Sequence, residues 1–136
     1  MSVAVVDEVG YDRLDQEAAF RLFAASFSSR GLDLGRIGEV SVALVDPETI
    51  RDLNLRFRGK DEPTDVLSFE VDGPYGEMVG EVVICPRCAS PEMGVEELVV
   101  HGALHLSGMD HGEDFEASEM ATVQEAVMEE LRGEEG

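Results

Sequence analysis

Tryptophan is absent from this chain, and lysine occurs once, at Lys60. Positive charge is scarce altogether: Lys and Arg total 10 against 30 Asp and Glu, a net charge of −20. Proteins that bind nucleic acid over a broad surface carry a basic footprint, because phosphate neutralisation dominates that affinity. By overall charge this chain has none. Its two cysteines are too few for a disulfide framework. No apolar run is longer than a few residues, which excludes a membrane span by pattern. The opening MSVAVVDEVGYDR lacks the basic stretch and apolar core of a secretory signal, so cytoplasm is the expected compartment. Apolar residues still make up 43% of the 136, enough for one folded domain over residues 1–136 with a single core.

The apolar pattern predicts an α+β domain, with about four strands in a sheet packed with helices. Val3–Asp7 is a candidate first strand, and apolar residues from Leu14 to Phe27 recur at helical spacing before Gly31. Val40, Val42 and Leu44 alternate with smaller residues, as in a strand with one buried face. Asp46-Pro47 is a strong helix start, with Asp as N-cap and Pro at the first helical position, and predicts a helix over Pro47–Phe57. Val66–Val71 and Val79–Cys85 read as strands around the Asp72-Gly73-Pro74 turn. Val95–Leu106 is almost wholly apolar, a helix expected to lie in the core, and a last amphipathic helix is expected over about Phe115–Leu131.

The few cations are unevenly placed. Arg51, Arg56, Arg58 and Lys60 fall within ten positions, whereas from Glu113 onward Arg132 is the sole cation. A local basic patch on a repelling background still focuses an anionic ligand into one cleft. The predominance of arginine among so many carboxylates suits a salt-rich cytoplasm, where long-range self-repulsion is screened.

All three histidines lie in HGALHLSGMDH, residues 101–111. His101 and His105 are one helical turn apart and project side by side, and Gly108 can end the helix so that His111 turns back toward them. Three imidazoles around an open fourth position make a catalytic zinc site; a structural zinc would be closed by four protein ligands. Asp110, Glu113 and Asp114 are candidates to accept a hydrogen bond from a histidine N–H. The ligand spacing is that of the zinc-peptidase motif H-E-x-x-H-x-x-G-x-x-H, yet Gly102 stands where the peptidase has its general-base glutamate. Without that glutamate to shuttle a proton to a poor amine leaving group, peptide hydrolysis is disfavoured. A phosphodiester, with the arginine cluster to stabilise its charge, fits better.

Three segments, in order, resemble the YbeY family of bacterial endoribonucleases. IRDLNLRFRGKDEPTDVLSF (50–69) is similar to the family's LN-x2-(Y/F)R-x2-D-x-PT-(D/N)-VLSF block. GEVVIC (80–85) is similar to its G-D-(I/V)-x-I-C strand, and HGALHLSGMDH is followed by Glu119-Met120 as in the family. Glu81 replaces an Asp of that pattern, Met109 replaces a Tyr, and Pro86–Val95 is shorter than the family's helix there. The resemblance implies a zinc-metalloprotease-like cradle of His101, His105 and His111 for one divalent ion, zinc being the first candidate, and a functional arginine at Arg58. It implies cleavage of single-stranded RNA in ribosomal RNA maturation (16S 3′-end processing) and ribosome quality control, with the small ribosomal subunit or its assembly factors as partners. Neither DNA nor membrane is expected.

Arg58 and His101 are then the expected catalytic residues, and Arg56, Lys60, Thr64 and Asp65 the expected substrate contacts. Two rival readings are another zinc metallohydrolase or peptidase, and a non-catalytic ribosome-assembly factor with a structural metal. The C-x-x-C of Cys85 and Cys88 reads as packing rather than as a redox motif. Asn54 reads as structural, and the acidic C-terminal helix as a solvated face.

Overall fold

The computed structural model describes residues 1–112, 114–115 and 118–135, without the side chains of 134 and 135. Four strands, β1 (Ser2–Asp7), β2 (Ile37–Leu44), β3 (Val66–Asp72) and β4 (Met78–Ile84), form one sheet in the order β1-β2-β4-β3. β1, β2 and β4 run parallel, and β3 pairs antiparallel with β4 on the sheet's edge. Among the described residues four α-helices accompany them: α1 (Gln16–Ser29), α2 (Pro47–Arg58), α3 (Val95–Leu106) and α4 (Glu119–Glu135). The expected α+β architecture with a four-stranded sheet is present.

Period-two alternation divides the sheet between two cores. Val40, Val42 and Leu44 of β2, with Val82 and Ile84 of β4, pack under α1, α3 and α4. Val83 and Leu67 point the other way, toward Ile50 of α2, in a smaller cluster with Val45 and Cys85. Full burial of each such side chain is worth roughly 1.5–3 kcal/mol, and these rows fix which face of each strand looks inward. The free thiols of Cys85 and Cys88 lie in or against this second cluster. Burial, first of several causes, pushes the Cys88 thiol up to about 11, so it is not an activated nucleophile.

Local signals set the boundaries. The Asp46 carboxylate accepts from the Thr49 amide at 2.8 Å and starts α2 as expected. Gly59, at φ 71°, ends it one residue later than predicted, which places Arg58 in its last turn. Asn54 is buried and donates to the Glu62 carbonyl at 2.9 Å, tying the following loop to the helix. The last helix begins at Glu119 rather than near Phe115, because the Ser118 hydroxyl accepts from the Ala121 amide at 3.1 Å and caps it there. Among the described residues no helix is long and apolar enough to cross a membrane.

α3 lies unusually close to the sheet. A β-carbon on Gly102 would fall 2.6 Å from Cγ1 of Val82 and 3.1 Å from the Ser68 hydroxyl. One on Gly80 of β4 would fall 2.8 Å from Leu106. These two glycines let the helix settle onto β3 and β4, and Ser68 Oγ donates to the Gly102 carbonyl at 3.3 Å. Gly102 is therefore a packing residue.

Candidate metal centre

α3 carries His101 and His105 on successive turns, and a Schellman motif brings in the third imidazole. Gly108 takes φ 103° and donates to the His105 carbonyl at 3.0 Å, while the Met109 amide returns to Leu104 at 3.1 Å. His111 then faces the other two, its ring centroid 5.2 Å from each. One ligating nitrogen from each histidine can be chosen so that all three lie within 4.8 Å of one another.

Each ring has a hydrogen-bond partner on the nitrogen away from the cluster. Nδ1 of His105 is 3.0 Å from the Met109 carbonyl, and Nδ1 of His111 is 2.8 Å from the Gly112 carbonyl. A carbonyl only accepts, so both nitrogens carry the proton and both Nε2 atoms keep a lone pair. Nδ1 of His101 is 3.0 Å from Oε1 of Gln124, which accepts in the same way. The Nε2 atoms of His101 and His105 consequently stand 3.2 Å apart as two facing acceptors. A proton or a cation between them relieves that repulsion. The spacing is close to that of two nitrogens on one tetrahedral zinc, about 3.3 Å for Zn–N bonds of about 2.0 Å. The donor set fits a divalent ion.

Burial favours the neutral form of His101 and His105. His101 is 7% exposed, and desolvation, ahead of the neighbouring imidazoles, lowers its pKa to about 4. Desolvation is also the first cause lowering His105, and the Arg58 cation adds to it. Neutral imidazole is the form that binds metal.

The carboxylates expected to orient the rings do not include Asp110 in that role. Its Oδ1 is 3.9 Å from Nδ1 of His105, too far for a hydrogen bond, and accepts instead from the His111 amide at 2.8 Å. Glu113 lies outside the described residues. Gln124, in α4, was missed by the sequence reading. Its signal was a buried amide on the same helical stripe as Met120, Val127 and Met128, which needs a partner. Phe115, not singled out either, packs edge-on against His101 with centroids 4.9 Å apart.

The histidines floor a cleft of about 660 Å³, whose walls include Arg58, Thr64, Asp65, Ser68 and Glu70. Arg58 reaches it across the free edge of β3, donating from Nη2 to the Ser68 carbonyl at 3.0 Å. The cleft thus brings Arg58, Thr64 and Asp65 together with the triad. Arg56 instead pairs with Asp52 at 2.6 Å, and Arg51 with Asp61 at 2.7 Å, all exposed. Lys60 is exposed on the loop after α2 and is not part of the cleft wall.

A family model described as Endoribonuclease YbeY matches residues 8–132. A curated protein of that description from Rubrobacter xylanophilus is 70% identical over 132 residues, 96% of each chain. The solution structure of TM1509 from Thermotoga maritima superposes with a TM-score of 0.57 at 29% identity, over 97% of this chain and 90% of that one.

Proposed function

The chain belongs to the YbeY endoribonuclease family, and from that premise we propose that it is a metal-dependent endoribonuclease that cuts single-stranded RNA during ribosomal RNA maturation in the cytoplasm. One observation carries the mechanism: three Nε2 lone pairs and the Arg58 guanidinium face the same cleft.

His101, His105 and His111 hold one divalent ion, zinc first among the candidates, although an all-imidazole set also suits nickel, copper or iron. When bound, the ion supplies Lewis acidity at the phosphodiester and hydroxide near neutral pH. The rest is the work of the chain. Gln124 and the Met109 and Gly112 carbonyls hold the rings in the tautomer and orientation that ligation requires. Arg58 binds the scissile phosphate and offsets the charge that builds on its oxygens. Thr64 and Asp65, on the same cleft wall, contact the substrate by hydrogen bonds. Arg56 and Lys60 lie outside the wall and act at longer range, drawing the strand in against the net charge of −20. The small ribosomal subunit or its assembly factors present the RNA.

Two features weigh against the rival readings. Gly102 leaves no room for the peptidase glutamate. A metal with a purely structural role would not need a broad cleft shared with an arginine. The test is cleavage of structured and single-stranded RNA by the wild type, His101→Ala and Arg58→Ala, with and without chelator. Metal-dependent cutting of the single strand by the wild type alone is expected, and equal rates for all three proteins would overturn the assignment.

A further inference from the structure

β3 has two faces and one free edge, and the cleft is lined mainly from one face. Ser68 and Glu70 line the cleft, so Phe69 and Val71, alternating with them, lie on the opposite side of the strand. There Phe57, in the last turn of α2, meets Phe69 edge to face, with centroids 5.2 Å apart and planes at 66°. Phe57 is nevertheless 57% exposed, and Val71, two residues beyond Phe69, is 60% exposed. The Arg58 guanidinium sits 5.5 Å from the centre of the Phe69 ring while also bonding the Ser68 carbonyl and lining the cleft. A continuous path therefore runs from the histidines, over the β3 edge at Arg58, onto the two phenylalanine rings.

Building on the endoribonuclease reading, we propose that Phe57 and Phe69 form a stacking platform for a nucleobase adjoining the phosphate held at Arg58. Three observations favour RNA as the occupant. The ring pair is continuous with the proposed phosphate site through a single arginine. The Arg58 cation sits at the ring pair itself, in a protein whose net charge of −20 repels polyanions overall. Aromatic rings beside an arginine in a backbone-binding groove are the arrangement by which proteins hold single strands without reading sequence. Bases in a duplex must first unstack and unpair, at a cost of about a few kcal/mol, to turn out onto such a platform, so a preference for single strands follows from the same contact. Phe69 anchors the pair by packing against the smaller core, and Phe57 presents its exposed surface to the base.

The test uses the full-length metal-loaded protein, the variants Phe57→Ala and Phe57→Tyr, and a single-stranded RNA with one base deleted at each position flanking the mapped cut. Phe57→Ala should raise KM roughly ten-fold with metal content unchanged and the melting temperature lowered by no more than about a few degrees, and Phe57→Tyr should restore it. Deleting the stacked base should penalise the wild type and not Phe57→Ala. In parallel, an uncleavable 2′-O-methyl strand carrying 2-aminopurine at that position should be quenched by the wild type and not by Phe57→Ala. Equal KM values, the same base-deletion penalty in both proteins, or equal quenching would overturn the platform and leave this surface to a protein partner. Quenching without any cleavage would overturn the nuclease reading instead and retain the platform.

Discussion

Oε1 of Gln124 lies 3.0 Å from Nδ1 of His101, joining the last helix to the first histidine of the triad across 23 residues of sequence. This is the long-range hydrogen bond to the rings, whose other ring-nitrogen partners, Met109 and Gly112, are local. Gln124→Leu removes the acceptor, and zinc affinity should fall about 10- to 100-fold, as for other outer partners of a ligating histidine. Gln124→Glu keeps an acceptor there and should lose far less. Competition with a chromophoric chelator measures both; unchanged affinity in Gln124→Leu would show that the contact orients nothing.

Arg58→Ala should lower kcat about 10²- to 10³-fold on single-stranded RNA, the usual consequence of deleting a donor to a developing charge. Metal content should not change, because Arg58 holds no ligand. Arg56→Ala should cost only a few-fold in kcat/KM, since Arg56 is already paired with Asp52. Steady-state kinetics at two salt concentrations separate the two, with the small Arg56 effect vanishing at high salt.

The metal-free protein should lose stability as pH falls from about 6.5. In the unfolded chain the His101 imidazole takes up a proton near its ordinary 6.5, whereas in the fold burial holds it down to about 4. Between those values the unfolded state binds more protons, so acid favours unfolding by up to about 1.4 kcal/mol per pH unit from this group. His105, also lowered, acts in the same direction, and well above 6.5, where both imidazoles are neutral in the folded and unfolded states alike, neither contributes a slope. Urea titrations of chelated protein at pH 7.5, 6.0 and 5.0 measure the effect, and a flat profile from 6.0 to 5.0 would contradict it.

Gly102→Ala should destabilise the fold by about 1–3 kcal/mol, because the added methyl meets Val82, a stiff and fully buried side chain, at 2.6 Å. Val82→Ala in the same chain should recover part of that loss. Denaturation midpoints of the two single variants and the double variant test this coupling, and strict additivity would mean that the two sites do not compete for space.

Much of this was legible in the chain because it is local. Asp46-Pro47 opens α2, Gly108 ends α3, and His101, His105 and His111 lie close enough in sequence for helix geometry to bring them together. The strand segments were legible from alternation, but their order was not, because the sheet places β4 between β2 and β3 through connections that no periodicity encodes. Gln124 was hidden for the same reason: its partner is in another helix. Arg56 and Arg58 look alike in sequence, yet one faces Asp52 along its own helix and the other crosses a strand edge into the cleft. The start of α4 was misplaced because the apolar Phe115 was counted as helix, whereas it packs on the histidines and Ser118 provides the cap.

The closeness of Gly102 to Val82 also constrains how this chain can change. A glutamate at position 102, the substitution that would complete the peptidase motif, meets the buried valine before it can act. Emptying the valine site first removes core volume and brings no new chemistry. Either order passes through a destabilised intermediate, so this sequence is more than one substitution away from the peptidase site even though its three histidines already match the motif.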